Sequence, residues 1–229
     1  MPLLSILVPV YNEEATIREV IVRLREVPFP VPREIIVVND GSVDGTRAAL
    51  DAMPVADDVR IIHAPANAGK GAAIRRGLAD ARGDIVAIQD ADLELDPAQL
   101  AELVAPILRG DANVVYGSRF LAGRPNAPRR TIYANRFLTG FTNVLFGAHI
   151  TDMETCYKVM RTDVARSLAL ESNRFEIEPE ITAKLLRGGH EIAELPVRFE
   201  PRSHAAGKKI GWRDGVHAIQ TLLRYRFRR

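Results

Sequence analysis

Cysteine is nearly absent, with Cys156 standing alone. A single thiol excludes an internal disulfide framework and any cysteine-based metal cluster, and it fits a reducing compartment. No long hydrophobic run exists. The longest uncharged stretch, residues 137–151, contains Thr, Asn, Gly and His and is too short and too polar to span a bilayer. No basic segment followed by an apolar run and a small-residue cleavage site opens the chain, so no secretory signal is expected. The glycine patterns of two nucleotide folds are also missing. No Gly-x-Gly-x-x-Gly follows the first apolar run, which argues against a dinucleotide fold. Gly69-Lys70-Gly71 lacks the Gly-x-x-x-x-Gly-Lys-Ser/Thr spacing of a phosphate-loop ATPase. His63, His149, His190, His204 and His217 show no metal-ligand spacing. Charge of one sign is lacking too: 31 Lys and Arg against 29 Asp and Glu leave a formal net charge of +2, so nothing global demands nucleic acid. The charge that exists is uneven. From Arg202 onward Lys and Arg dominate and Asp214 is the only acid, which suggests an anionic partner for this tail.

What is present is ordinary globular material. Apolar residues make up 47% and charged residues 26% of 229, a length that fits one large domain or two small ones. No repeat or low-complexity segment interrupts it. Residues 3–9, 34–38, 59–63, 84–89 and 114–116 read as strands. Their Ile/Val runs are near-continuous rather than alternating, as in strands covered on both faces. Between them, 15–26, 44–53, 71–81 and 97–108 carry helical periods, the last opened by Pro97. This order predicts an α/β fold with a mostly parallel central sheet flanked by helices. Beyond Arg119 the pattern changes. Residues 121–130 are rich in Gly, Pro and Arg and read as a loop. Residues 132–146 and 178–187 read as helices, 192–199 as a strand and 201–209 as a polar basic loop. The final helix, 212–227, is headed by the lone Trp212 and has further apolar residues at 216, 219, 223 and 227.

In an open parallel sheet, ligands bind beyond the carboxyl ends of the strands. Each candidate end here is polar. The first run leads into Val8-Pro9-Val10-Tyr11-Asn12-Glu13, and the second into Asn39-Asp40-Gly41-Ser42-Val43-Asp44. The third leads into Asn67-Ala68-Gly69-Lys70-Gly71, and the fourth into Asp90-Ala91-Asp92. Taken singly, each is an ordinary turn or cap, and Asn12 and Ser42 suit N-caps. Four together point to a ligand site. Asp90-Ala91-Asp92 tells most. Two carboxylates on alternate residues after a buried run can hold a hard divalent cation, and a cation there can neutralise a diphosphate leaving group. Chance alone places about one Asp-x-Asp in a chain of this composition, so position carries more weight than pattern.

Val8-Pro9-Val10-Tyr11-Asn12-Glu13, Val38-Asn39-Asp40-Gly41-Ser42 and Gln89-Asp90-Ala91-Asp92 resemble the inverting family 2 glycosyltransferases of the GT-A (Rossmann-like nucleotide-binding) fold. Residues 89–93, 152–158, 175–180 and 207–215 are similar to the branch that glycosylates polyprenyl phosphates, the dolichol-phosphate mannose synthase-like enzymes. The resemblance covers essentially the whole chain. It implies a single domain over 1–229, with a nucleotide-sugar half at 1–120 and an acceptor half at 121–229. It implies that Pro9, Tyr11, Glu13 and Asp40 contact the base and ribose of a nucleotide sugar. Asp90 and Asp92 would hold Mg²⁺ or Mn²⁺ across the diphosphate, with Glu94 at a third-ligand position often occupied by Gln. Arg202 and Lys209 would belong to a basic loop that folds over the diphosphate. Arg119 and Arg129 match positions that grip the acceptor phosphate, and Arg130 stands where Lys is common; the planar guanidinium fork suits phosphate oxygens. One departure is Tyr133, near which the mannose synthases place a Ser that assists the acceptor phosphate.

The reaction implied is metal-dependent, inverting transfer of one hexose from a GDP-mannose or UDP-glucose type of donor to a polyprenyl or dolichyl phosphate. A lipid monophosphate is already an anionic nucleophile and needs little general-base help. The metal with Arg119, Arg129, Arg202 and Lys209 would hold two anions in line. One alternative is transfer to a saccharide hydroxyl, which requires a base; Asp152, Glu154 and Glu178 are the candidates, unless they simply pair with nearby arginines. Another is a catalytically silent sugar-nucleotide-binding partner of a membrane complex, against which the intact Asp90/Asp92 pair speaks. The expected location is cytoplasmic, peripheral at the cytosolic membrane face, where the lipid is met at the membrane surface or through a separate membrane protein. Phe137, Leu138, Phe141, Val144, Leu145 and Phe146 are expected to form an apolar surface. The helix from Trp212 is expected to pack partly into the core and to end in a membrane-facing tip of Arg224, Arg226, Arg228 and Arg229.

Overall fold

The computed structural model describes residues 1–201 and 212–228; Arg202, Lys209 and the Trp212 side chain lie outside the described residues. Seven strands form one sheet: β1 Leu4–Val10, β2 Arg33–Asn39, β3 Val59–His63, β4 Ile85–Ile88, β5 Val114–Ser118, β6 Lys158–Arg161 and β7 Ala193–Pro196. Their order is β3-β2-β1-β4-β6-β5-β7. Only β6 runs antiparallel to its neighbours, β4 and β5. The helices are α1 Ile17–Glu26, α2 Thr46–Asp51, α3 Lys70–Asp80, α4 Gln99–Arg109, α5 Arg129–Phe146, α6 Thr162–Ser167, α7 Ile177–Arg187 and α8 Trp212–Phe227. The two halves expected from the sequence share this sheet, because β6 and β7 from beyond residue 120 pair with β4 and β5.

The continuous apolar strands are buried on both faces, as their composition requires. Leu4, Ile6, Val8 and Val10 of β1 pack in one cluster with Ile17, Ile21 and Leu24 of α1 and Leu100, Leu103 and Val104 of α4. Leu7 points the other way and joins Ile36 and Val38 of β2, Ile74 and Leu78 of α3, and Ile177, Ile181 and Leu185 of α7. Each such side chain contributes about 1.5–3 kcal/mol by leaving water. A third cluster ties α5, α7 and α8 together through Leu138, Met153, Ala183, Ala218, Leu222 and Tyr225.

Strand order positions the site. The chain builds β1, β2 and β3 outward in one direction, then returns to lay β4 on the other side of β1. Such a reversal opens a crevice at the carboxyl ends of the two central strands. The segments after β1 and β4 flank it.

Four elements differ from the sequence expectation. Helix α5 starts at Arg129, three residues before the apolar period, directly after Pro128, whose backbone (φ −53°, ψ 136°) is not helical. Strand β7 stops at Pro196, shorter than the alternating run suggests. Strand β6 and the short helix α6 arise in a stretch with no marked period. The apolar surface expected on 137–146 is mostly interior: Leu138 is buried, and Phe141, Leu145 and Phe146 pack against α8. Tyr133, Phe137 and Val144 remain exposed.

Candidate active site

The loops at the strand ends are locked to each other before any ligand arrives. The Asn12 N–H donates to Ser42 Oγ (3.0 Å), and Asn12 Oδ1 accepts the Val43 N–H (2.9 Å). Neither residue caps a helix, contrary to their reading as N-caps; they staple the β1 loop to the β2 loop. The Glu13 N–H donates to the buried Thr46 Oγ1 (2.8 Å). Thr16 Oγ1 donates to the Ala91 carbonyl (2.7 Å), fastening the start of α1 to the Asp90–Asp92 turn. Asn12 (φ 53°) and Leu93 (φ 60°) hold left-handed backbone without being glycine. For Leu93 this costs about 1–2 kcal/mol, the kind of strain that clusters at functional loops. Pro9, Tyr11 and Glu13 stand half-buried at the mouth.

Asp40 is almost fully buried. Its carboxylate accepts the Ala68 N–H on both oxygens (3.1 Å each) and the Gly69 N–H (2.6 Å). It therefore shapes the entry to α3. A carboxylate has about four acceptor positions, so one is left for a ligand N–H. Gly69 is required here: its φ is +103°, and a Cβ would sit 2.4 Å from the Asn173 carbonyl.

Asp90 and Asp92 follow β4. Asp92 Oδ1 accepts the Glu94 N–H (3.1 Å), an Asx turn that fixes the carboxylate. Gln89 braces the turn from beneath, donating to the Asp90 carbonyl (3.0 Å) and accepting from the Tyr157 hydroxyl (2.7 Å). Among the described residues no three His, Cys, Asp or Glu side chains converge on one metal position, so Glu94 does not complete a preformed cage with the pair. Asp90 instead holds an ammonium. Lys70 Nζ lies 2.7 Å from Asp90 Oδ1, 3.0 Å from Oδ2 and 2.9 Å from Glu178 Oε1. The residues fit a divalent cation in the chemistry of their donors, because the carboxylate oxygens of Asp90 and Asp92 are hard.

From Lys70 a band of buried charge runs towards the acceptor half. Glu178 Oε2 accepts from Lys158 Nζ (2.5 Å), which also donates to the Met153 carbonyl (3.1 Å) and to the Thr155 carbonyl. Burial works against the Lys70 ammonium, but Asp90 and Glu178 outweigh it and hold its pKa well above the lysine range. Burial likewise opposes ionised Glu178, yet Lys158 and Lys70 keep its pKa below the usual carboxylate value. At the far end, Asp152 is fully buried. It accepts Arg119 Nε and Nη2 (2.7 Å each) and the Arg119 backbone N–H (3.0 Å). Arg119 also lies over the Phe199 ring, 5.4 Å from its centroid. The pairing left open for Asp152 is thus realised as a buried, bidentate one with Arg119. Asp152 is committed to aiming this guanidinium, which leaves it poorly placed to take a proton.

Arg129 and Arg130 are exposed and occupy the first turn of α5, which contains no acid. Cations there oppose the helix dipole by about 0.3–1 kcal/mol each, and an anion at that end would reverse the sign.

A model of glycosyl transferase family 2 matches residues 5–168. The chain belongs to that family. It is 29% identical to the polyprenol monophosphomannose synthase of Mycolicibacterium smegmatis, over 90% of this chain and 80% of that protein. It is also 29% identical to the undecaprenyl-phosphate mannosyltransferase of Micrococcus luteus, over 90% and 86% respectively. Glycosyltransferase AglD of Haloferax volcanii is 30% identical over 86% of this chain, which spans only 33% of that longer protein. The glucosyl-3-phosphoglycerate synthase of Mycobacterium tuberculosis, solved with Mn²⁺, UDP and glucosyl-3-phosphoglycerate, superposes with a TM-score of 0.73 at 22% identity, covering 98% of this chain and 80% of that one. The fold is GT-A.

In this family-2 domain the loops after β1, β2 and β4 are linked to each other, and Lys70 and Glu178 connect the Asp90 turn to the buried charge that lies towards Arg119. Lys158 is not among the expected residues, Lys70 stands only within the third strand-end loop with no partner assigned, and Glu154 stands only as one base among three. Glu154 is half-buried, and its Oε1 is enclosed with no hydrogen-bond partner. Burial, then repulsion from Glu178, pushes its pKa up to about 7. An unfolded glutamate titrates near ~4.3, so the folded state binds the extra proton between those values and stability falls as pH rises through that window. Glu154→Gln is therefore expected to melt with wild type at pH 5 and several degrees above it at pH 8. Parallel melts at both pH values check this; an unchanged gap would remove the strained carboxyl.

The tip of α8 makes contacts of its own. Arg224 and Arg228 pair with Glu171 (3.1 and 2.7 Å), and Arg226 Nε donates to the Leu145 carbonyl (2.9 Å). Arg229 lies outside the described residues. These contacts tether the end of α8, while Arg224 and Arg228 stay exposed and outnumber their one acidic partner, so the tip keeps a net positive charge. No helix among the described residues is long and apolar enough to cross a membrane.

Proposed function

We propose that this domain transfers one hexose, with inversion, from a nucleotide sugar to the phosphate of a polyprenyl phosphate. The observation that carries the acceptor is the arginine set: Arg119 aimed by a buried Asp152, with Arg129 and Arg130 at the acid-free start of α5. Beside them Tyr133 and Phe137 expose apolar surface on the same helix. Two relatives carry names that specify polyprenol and undecaprenyl phosphate, which supports the same substrate class.

Each part has a task. Pro9, Tyr11, Glu13 and the remaining acceptor position of Asp40 face the base and ribose. Asp90 and Asp92, with Glu94 close by, would hold Mg²⁺ or Mn²⁺. Such an ion supplies charge neutralisation at the departing diphosphate. Arg202 and Lys209 are assigned to the same diphosphate. Arg119, Arg129 and Arg130 hold the acceptor phosphate in line with the anomeric carbon, and its own negative charge makes it the nucleophile. The acceptor is then met at a membrane surface or on a separate membrane protein.

The test uses labelled GDP-mannose and UDP-glucose with Mn²⁺ and undecaprenyl phosphate. Label is expected to move into the organic phase with one of the two donors. Arg129→Ala is expected to raise the acceptor KM about tenfold or more, the worth of a charge-assisted phosphate contact, with nucleoside diphosphate affinity unchanged. Equal use of acceptor by Arg129→Ala would overturn the phosphate clamp. One observation favours a second reading, transfer to a saccharide hydroxyl: Glu154 Oε1 is enclosed with no hydrogen-bond partner, and burial pushes its pKa up to about 7, in the range a general base needs. On that reading label stays in the aqueous phase on a sugar acceptor, and Glu154→Gln is inactive.

A further inference from the structure

Gly69-Lys70-Gly71 fits no ATPase pattern, yet the structure gives Lys70 one defined address. Gly69 brings the chain against the Asn173 carbonyl, and the Ala72 N–H donates to that same carbonyl (2.9 Å). The start of α3 is therefore pinned, which fixes where the lysine side chain begins. Its side chain is 13% exposed and sits between two carboxylates. Glu178 is already neutralised by Lys158 on its other oxygen. Asp90 has no second cation within ion-pair distance among the described residues, so Lys70 is its counter-ion.

The geometry creates a conflict. Lys70 Nζ contacts both oxygens of Asp90, at 2.7 and 3.0 Å, and those are the atoms a divalent cation needs. Two cations at one carboxylate repel each other strongly in a partly desolvated pocket. A nucleoside diphosphate relieves the conflict, because it brings at least two negative charges to the same place.

We propose that Lys70 is a resident counter-ion that exchanges. It neutralises Asp90 while the donor site is empty. It yields Asp90 to the divalent cation when the diphosphate arrives, turning its ammonium to a diphosphate oxygen while keeping Glu178. The lysine thereby makes metal binding conditional on nucleotide binding. This rests on the reading of Asp90 as a metal ligand. The coupling is reciprocal: the nucleotide must strengthen metal binding by the factor that the metal strengthens nucleotide binding.

The prediction has an unusual sign. Removing a positive side chain next to a proposed metal ligand should weaken diphosphate binding yet tighten binding of the free ion. Free Mn²⁺ is measured by its electron paramagnetic resonance signal, with and without UDP or GDP, on wild type, Lys70→Met, Lys70→Arg and Asp90→Ala. Lys70→Met is expected to bind Mn²⁺ alone at least ~10-fold more tightly than wild type, and to lose at least ~10-fold of the enhancement that UDP or GDP gives. Lys70→Arg keeps the charge and is expected to keep the wild-type pattern. Weaker or equal Mn²⁺ binding by Lys70→Met, or tightening by Lys70→Arg as well, would show that the lysine orients Asp90 rather than competing for it, and would overturn the exchange. The metal reading fails separately: Mn²⁺ binding in the presence of UDP and GDP that is absent from wild type, or unchanged in Asp90→Ala, removes Asp90 as a ligand and the exchange with it.

Discussion

Asp92→Ala is expected to abolish sugar transfer while leaving the fold intact, and EDTA is expected to do the same to the wild type until Mn²⁺ or Mg²⁺ is restored. Asp92 lies after the last residue of β4, outside the apolar clusters, and its Oδ1 is engaged by the Glu94 N–H of its own turn. Loss of that turn contact costs about 0.5–1.5 kcal/mol, which a domain with three apolar clusters tolerates. The chemical cost is larger. A cation at a leaving diphosphate is worth several kcal/mol of transition-state charge, and each ~1.4 kcal/mol is tenfold in rate, so turnover is expected to fall about a thousandfold or more. The check is label transfer beside a melting curve. Full activity in EDTA would overturn the metal assignment; a collapsed melting temperature in Asp92→Ala would make the aspartate structural.

The parts of this molecule that could be read from the sequence are those written in local patterns. Runs such as Ile35-Ile36-Val37-Val38 are apolar on consecutive residues because α1 and α4 cover one face of the sheet and α3 and α7 the other. Doubly covered parallel strands imply polar carboxyl ends, and Asp90-Ala91-Asp92 lies at one of them. What could not be read depends on partners distant in sequence. Lys158 sits in a strand, and its partner Glu178 is 20 residues away on α7. Lys70 meets Asp90 only because β1 and α3 bring the two loops together. The arginines of α8 meet Glu171, more than 50 residues earlier, and no local pattern marks that contact. Strand β6 is antiparallel and short, and its pairing with β4 and β5 is fixed by the sheet, not by any period of its own. The residues that read as apolar surface on α5 were half right for the same reason: α8 covers the side that carries Leu138.

The second large effect lies in the Arg119–Asp152 pair. Asp152 is fully buried, and among the described residues its oxygens accept only from Arg119. Arg119→Ala leaves that carboxylate enclosed with a single backbone donor, so it is expected to cost about 3–5 kcal/mol of stability, the loss seen when one member of a buried pair is removed. For a chain of this length the melting temperature should fall by roughly 10 °C. Asp152→Leu is expected to be costly as well, because it strands the guanidinium at 13% exposure. The double variant Arg119→Met/Asp152→Leu removes both charges and should recover most of the stability, since well-packed apolar residues often replace a buried pair without loss. Activity separates the two roles of the arginine. If Arg119 only held the β5 loop together, the double variant would regain transfer along with its melting temperature. If Arg119 holds the acceptor phosphate and Asp152 aims it, the double variant stays folded and stays inactive towards polyprenyl phosphate, with nucleoside diphosphate binding preserved. A double variant no more stable than either single one would show that the two side chains are not coupled, and the positioning role of Asp152 would fall.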